Sequence, residues 1–191
     1  YAYRYRSTGY SIGQCFGYKI DYSNGNGYIN TEEELDNALA TYQVGGTPRL
    51  GDFLYVDVNE DGVIDEKDQA PIKYSDIPRI TYGFSGSVNW KNFDFSFLFS
   101  GIAKASRVYT GWGATEFGLV GFYSDYHLQA WTAERYANGE EIKYPALASS
   151  PGTSQKANDF FIMDRSFLRL KNIELGYTLP KKLLKKVKKV L

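Results

Sequence analysis

The densest chemistry in this chain is a run of oxygen-bearing side chains: Asp57, Asn59, Asp61, Asp65 and Asp68, with Gly62 among them. Counted from Asp57, the five stand at loop positions 1, 3, 5, 9 and 12. The glycine takes position 6, where a twelve-residue calcium loop turns sharply. The Val63 carbonyl falls at position 7 and the apolar Ile64 at position 8. Calcium takes about 6–8 hard oxygen ligands, and this spacing wraps them around one point. The expected ligands are therefore Asp57, Asn59, Asp61, the Val63 carbonyl and Asp68, with Asp65 direct or through water. An aspartate at position 12 has a shorter arm than the usual glutamate. Affinity is accordingly expected near the ~10⁻⁴–10⁻³ M of extracellular modules. The flanks are not those of a helix–loop–helix hand, because Phe53–Val56 reads as strand and Pro71 cuts short any following helix. The alternative is a string of Asx turns without metal.

Other chemistry is thinner. Between Tyr109 and Trp131 lie seven rings: Tyr109, Trp112, Phe117, Phe122, Tyr123, Tyr126 and Trp131. Trp112, Tyr123, Tyr126 and Trp131 are the candidates for stacking on a sugar or peptide. The same rings could equally hold their own loop together. The lone histidine, His127, sits among them and reads as packing or ligand contact rather than catalysis. Gly9-Tyr10-Ser11-Ile12-Gly13 fits the nucleophile-elbow string, but the residues after it, Ile12–Asp21, read as strand where that motif needs a helix. Glu32, Glu33, Glu34 and Asp36 occupy a helix start, where acids are favoured without catalysis. Phosphate loops, dinucleotide fingerprints and Cys/His metal clusters are absent from the sequence, and the single Cys15 rules out an internal disulfide framework.

The elements that must carry these groups read mostly as β-structure. Ile80, Tyr82, Phe84, Gly86, Val88 and Trp90 alternate with Thr81, Gly83, Ser85, Ser87 and Asn89. After a Lys91-Asn92 turn, Phe93, Phe95, Phe97 and Phe99 alternate with Asp94, Ser96, Leu98 and Ser100. Successive strand residues face opposite sides, so the hairpin has one oily and one polar face. Its strands approach the roughly 9–11 tilted residues that cross a bilayer. Such a pattern suits a transmembrane barrel, with apolar residues toward lipid and polar ones toward the lumen. A hairpin on a soluble core would show the same pattern. Phe167–Leu179 is another strand, whose apolar parity switches between Leu170 and Ile173; a bulge near Lys171-Asn172 would explain the switch. Thr31–Tyr42 is a helix with Thr31 and Glu34 as a capping box. Ala130–Tyr136 is a second, short one. Gly101–Asp159 otherwise reads as a long loop, ordinary on the outer side of a barrel and odd in a compact soluble domain. Lys181–Leu191 reads as a short basic helix. Lysine plus arginine balance aspartate plus glutamate at 22 each, so no net field favours nucleic acid. The chain opens inside an alternating pattern at Tyr1, Tyr3 and Tyr5, and is expected to be a piece of a longer protein.

Taken in order, the pieces resemble a known family. They are Gly17-Tyr18-Lys19, Gly51-Asp52, the Asp57–Asp68 loop, Pro78 with Tyr82-Gly83-Phe84, Lys91-Asn92-Phe93-Asp94, Trp131-Thr132, and Ser166–Asn172 leading to Gly176-Tyr177 and Leu179-Pro180. This order resembles the C-terminal part of the barrel in SusC/RagA-type TonB-dependent outer-membrane transporters of Bacteroidetes, across nearly the whole chain. Lys73, Ala133 and the lengthened segment before Tyr144-Pro145 depart from the family's habit. The resemblance implies a plugged barrel of about 22 strands, with short periplasmic turns and long extracellular loops. It also implies a SusD-like lipoprotein lid, energy from TonB through a part absent here, and residence in the outer membrane of a Gram-negative cell.

The resulting expectation is an all-β chain that forms part of a large antiparallel transmembrane β-barrel. Residues 1–191 are one barrel segment lacking plug and last strands, with a calcium loop at 57–68 inside an extracellular loop. The expected activity is import of glycans, less readily peptides, through a lumen opened by plug movement, without covalent catalysis. Its partners are the SusD-like lipoprotein, TonB, the substrate and outer-membrane lipid, with no nucleic acid. The runner-up is a secreted β-rich, calcium-dependent carbohydrate-binding module; a hydrolase stands third.

Overall fold

The computed structural model describes residues 8–109, 116, 123–149 and 152–181. These fall into two compact units, residues 1–77 with 106–164 and residues 78–105 with 165–191.

The second unit is a three-stranded antiparallel sheet in the order β3-β4-β7, from Ile80–Trp90 (β3), Phe93–Ala103 (β4) and Phe167–Tyr177 (β7). Each strand has 11 residues. Pairing runs unbroken from Ile80 opposite Ala103 to Trp90 opposite Phe93. The Lys91-Asn92 turn puts Lys91 in the left-handed region at φ 55°. Asn92 and Thr178 close the turn end, each donating to the other's carbonyl at 2.7 Å.

Register collects the apolar parity of all three strands on one face. Phe84, Gly86, Val88 and Trp90 lie opposite Phe99, Phe97, Phe95 and Phe93, which in turn face Leu170, Ile173, Leu175 and Tyr177. The pairing shifts between Leu98 and Phe99, whose partners are Asn172 and Leu170. Lys171 is thus the extra residue of the bulge expected from the parity switch. It lets Leu168 and Leu170 share a face with Ile173 and Leu175. Two glycines seat rings: a Cβ at Gly86 would lie 2.7 Å from the Phe97 ring, and one at Gly101 would lie 2.5 Å from that of Tyr82. The Tyr82 hydroxyl crosses β4 to donate to the Phe167 carbonyl at 3.1 Å. No second layer covers this face among the described residues of the unit; Phe84 is 51% exposed, Trp90 63% and Leu175 74%.

The first unit has little regular structure and a real core. Its elements are Gln14–Gly17 (β1) paired with Ala70–Ser75 (β2), Glu32–Thr41 (α1), Ser106–Val108 (β5) paired with Ile162–Asp164 (β6), Ala133–Ala137 (α2), and 3-10 turns at Glu66–Asp68 and Asp125–Gln129. Thr31 and Glu34 form the expected capping box of α1. The second helix is shorter than expected and begins after Thr132, which caps it by accepting from Arg135 N. Tyr18, Ile20, Tyr28, Phe53, Tyr55, Ile64, Trp131, Tyr144 and Phe161 are buried together.

That core corrects the reading of Gly101–Asp159 as a loop. Ala130, Trp131 and Tyr144 from this stretch are core residues, and single bridges rather than long strands bind the stretch in: Ala130 with Tyr144, and Tyr18 with Asn158. Single bridges leave no periodicity to read, so apolar spacing missed them. Side chains then satisfy the backbone groups that a sheet would have paired. The Asn158 Oδ1 accepts from the N–H groups of Phe160 and Phe161, and Ser154 Oγ from that of Phe53. Asp52, fully buried, accepts from Thr153 Oγ1, Ser154 Oγ and the Arg49 N–H. The expected strand at Tyr1–Ser7 and most of the basic C-terminal segment lie outside the described residues.

Candidate functional site

The acidic loop belongs to the first unit and is anchored at both ends. Tyr55, two residues upstream, bridges Ile20. The apolar residue at position 8, Ile64, is 5% exposed and bridges Tyr42 at the end of α1. Backbone bonds from Gln43 N to Ile64 O and from Ile64 N to Thr41 O, 2.8 and 3.0 Å long, fix that anchor. Gly62 turns at φ 82°, and a Cβ there would meet nothing within 4 Å. The glycine is thus required for its backbone conformation rather than for space.

Within the loop Asp57, Asn59, Asp61 and Asp65 each accept from a backbone N–H further along. Asp57 Oδ2 accepts from Gly62 N at 2.7 Å, Asn59 Oδ1 from Asp61 N at 3.1 Å, and Asp61 Oδ1 from Val63 N at 3.0 Å. Asp68 is fully buried. Its Oδ1 accepts from Val58 N at 2.8 Å and its Oδ2 from Asp65 N at 2.8 Å, tying both halves of the loop to one carboxylate. The Asp65 Oδ1 accepts from Lys67 N at 2.6 Å. These Asx turns bend the chain through the loop. The Val63 N–H and then the Asn59 amide hold the Asp61 carboxyl below its ordinary pKa. The Lys67 ammonium is raised, first by Asp65 and then by Asp61.

Among the described residues, no three His, Cys, Asp or Glu side chains already converge as a metal cage. One atom nevertheless asks for a cation. Asp57 Oδ1 is buried and has no hydrogen-bond partner. A buried carboxylate oxygen without a donor is costly, and a hard cation at loop position 1 would satisfy it. The donor set is all oxygen, which fits calcium and not zinc or copper. By these two observations the residues present fit the ion.

The aromatic candidates separate. Tyr123 is 66% exposed and Tyr126 39%, although the Tyr126 ring also packs on His127 and Tyr144. Trp131 is 7% exposed in the core, and its Nε1 donates to Asn30 Oδ1 at 3.0 Å. A Cβ on Gly51 would lie 2.5 Å from its ring. Trp131 is thus a core residue rather than an open stacking platform, whereas Trp112 lies outside the described residues. His127 is 5% exposed, with Tyr126 and Tyr144 rings at 4.2 and 4.6 Å, and its Nδ1 accepts from Ser124 N at 2.8 Å. Burial lowers its pKa, and of the two roles expected, packing or ligand contact, its ring contacts support packing. Glu116 was not legible in the sequence. It is 1% exposed and accepts from the Tyr144 hydroxyl at 2.8 Å, Ala148 N at 3.0 Å and Gln155 Nε2 at 3.3 Å. A lone acid in a Gly-rich stretch gives no signal for such a role. The Gly9–Gly13 string leads through a turn into β1 rather than into a helix, so the elbow geometry is missing.

No family model matches the chain. TonB-dependent receptor P26 of Formosa agariphila is 29% identical over 157 residues, which cover 81% of this chain and 15% of the receptor. TonB-dependent receptor P3 of the same organism is 27% identical over 181 residues, 93% of this chain and 16% of the receptor. The solved RagAB peptide importer in its open-open state matches with a TM-score of 0.51 and 28% identity, over 70% of this chain and 15% of that one. The chain spans about a sixth of the length of these curated relatives. Motif order, the sequence relatives and the solved structure agree in supporting a fragment of a TonB-dependent receptor of the SusC/RagA type.

Proposed function

We propose that this chain is a stretch of outer-membrane barrel wall together with an extracellular substructure, in a receptor that imports nutrient by TonB-dependent plug movement beneath a SusD-like lipoprotein lid. The observation that carries the reading is the uncovered apolar face of β3, β4 and β7. Eleven residues per strand at ~3.3 Å each give roughly 36 Å. Tilted by about 45°, such strands span the ~25 Å apolar band of an outer-membrane barrel. Trp90, Phe93 and Tyr177 stand together at the turn end, with the Lys91 ammonium 4.8 Å from the Trp90 ring centroid. That grouping suits a membrane interface. The other parity carries Ser87, Asn89, Asp94, Ser96 and Glu174, as a lumen wall requires. The two-residue turn is then periplasmic. The opposite strand ends lead in sequence into the first unit, which is extracellular.

Lipid exposure is testable by arginine substitution. Phe84→Arg and Ile173→Arg, on the apolar parity near mid-strand, should each cost about 2–4 kcal/mol at mid-membrane depth and deplete the receptor from the outer membrane. Ser96→Arg, on the other parity, should leave assembly intact. Equal tolerance of all three would remove the membrane reading.

The transported substrate is a glycan in this reading, contacted by Tyr123 and Tyr126. A peptide is the second reading, favoured by the likeness to the RagAB peptide importer. The acidic loop holds structural calcium through Asp57, Asn59, Asp61, the Val63 carbonyl, Asp65 and Asp68, and so stiffens the outer substructure. Support for this comes from the ligand spacing and the unpaired Asp57 oxygen.

A further inference from the structure

We propose that Lys67 is the acidic loop's own counter-ion: its ammonium bridges Asp61 and Asp65 when calcium is absent and competes with calcium for them. This rests on the calcium reading above and concerns how that site is regulated. Between Asp57 and Asp68 stand six acids, Asp57, Glu60, Asp61, Asp65, Glu66 and Asp68, and one base, Lys67. The Lys67 Nζ lies 3.3 Å from Asp65 Oδ2 and 3.6 Å from Asp61 Oδ2. Asp65 is therefore held at both oxygens by one residue, since its Oδ1 accepts the Lys67 backbone N–H. Asp61 has Oδ1 on Val63 N and Oδ2 shared between the Asn59 amide and the ammonium.

The carboxylates thus divide into two sets. Asp61 and Asp65 carry the lysine; Asp57 keeps a buried oxygen with no partner, and Asp68 is fully buried on backbone donors. A cation entering the loop meets an unpaired oxygen at position 1 but must displace an ammonium at positions 5 and 9. The Lys67 side chain is 70% exposed. It leaves into water at little cost, so the competition is modest and rapid. Exposed ion pairs are weak, which sets the expected effect on calcium affinity at about two- to five-fold. The device keeps the loop turned in the absence of metal and lets calcium occupancy follow the concentration outside the cell.

The test is calorimetric titration of calcium into the detergent-solubilised, full-length receptor as wild type, Lys67→Met and Lys67→Arg. The methionine variant should bind calcium about two- to five-fold more tightly, while the arginine variant stays near wild type. Without calcium, amide hydrogen exchange across Asp57–Asp68 should be faster in Lys67→Met than in wild type, and calcium should abolish the difference. If wild type titrates but Lys67→Met binds equally or more weakly, the counter-ion role is overturned and the calcium site stands. If none of the three takes up calcium, the calcium reading falls and the counter-ion role falls with it.

Discussion

Asp57 and Trp131 show how differently two candidate residues behave once their surroundings are known. Both were legible as chemistry-bearing side chains. Asp57 keeps an unmet oxygen, and a residue with unmet bonding capacity remains available for a ligand. Trp131 has spent its indole N–H on Asn30 and its faces on the core. Alanine substitution should separate the aromatic roles. Tyr123→Ala should weaken uptake only several-fold and leave folding unchanged, at ~1 kcal/mol per good ring contact. Trp131→Ala should instead destabilise the first unit by about 3–5 kcal/mol, read as lost amide protection across its core. His127 makes a pH prediction. Its pKa lies below the ordinary 6.5 because burial penalises the imidazolium. As pH falls, the unfolded chain therefore takes up this proton first. Its contribution to stability is full above pH 6.5, falls as pH drops through 6.5, and is lost by the lower folded value. A shift titration of the imidazole should show a midpoint under 6.5. His127→Asn, which does not titrate and keeps an acceptor for Ser124 N, should flatten the pH dependence of the unit's stability between pH 7 and 5.

At the scale of elements, register decides which residues share a face. The three strands of the sheet are long and alternating, and two of them continue through a two-residue turn. The parity switch in β7 would put Leu168 and Leu170 on the polar side were it not for Lys171. A bulge is thus a device for keeping one apolar face on a strand of mixed parity. Deleting Lys171 should place either Leu168 and Leu170 or Ile173 and Leu175 on the wrong face. Receptor lacking this residue should fail to assemble in the outer membrane, as judged by heat-modifiable mobility on gels. Lys171→Ala, which keeps the extra residue, should assemble normally. The short elements of the first unit obey another logic. They are capped and bridged by side chains: Asp52 gathers hydroxyl donors from the distant Thr153 and Ser154, while Asn158 and Asp68 collect backbone donors close by in the chain.

At the scale of the molecule, two units of opposite character share one chain. One is a sheet with an apolar face that the unit's described residues do not cover. The other buries a compact aromatic core of its own. In the proposed receptor this is a division between wall and outer substructure, in which function concentrates on the part facing substrate. Calcium should then act on the outer part alone. Chelation, or Asp61→Ala, should raise amide exchange across residues 57–68 and their anchors at Ile64 and Tyr42, while amides of β3, β4 and β7 stay protected. Unchanged exchange in the loop on chelation would show that calcium has no structural role there.

Residue order alone determined the β3-β4 hairpin, because alternation over eleven residues, an aromatic parity and a two-residue turn leave one consistent register; that β7 pairs with β4 was decided by the tertiary structure. Residue order determined the capped helix at Thr31, since capping-box chemistry is local. It also determined the spacing of the acidic loop, because twelve consecutive residues carry the whole proposed ligand set. Only the tertiary structure decided that Gly101–Asp159 contributes to a core, that Trp131 is inside it, and that Glu116 and Asp52 are buried acceptors. Those outcomes depend on contacts across gaps such as Asn30 to Trp131 and Asp52 to Ser154, about a hundred residues apart in each case. No local period encodes which distant donor a carboxylate will meet. Likewise, the pattern of the Asp57–Asp68 loop is legible in the sequence, but the unpaired Asp57 oxygen and the Lys67 bridge appear only when backbone turns aim those side chains in space.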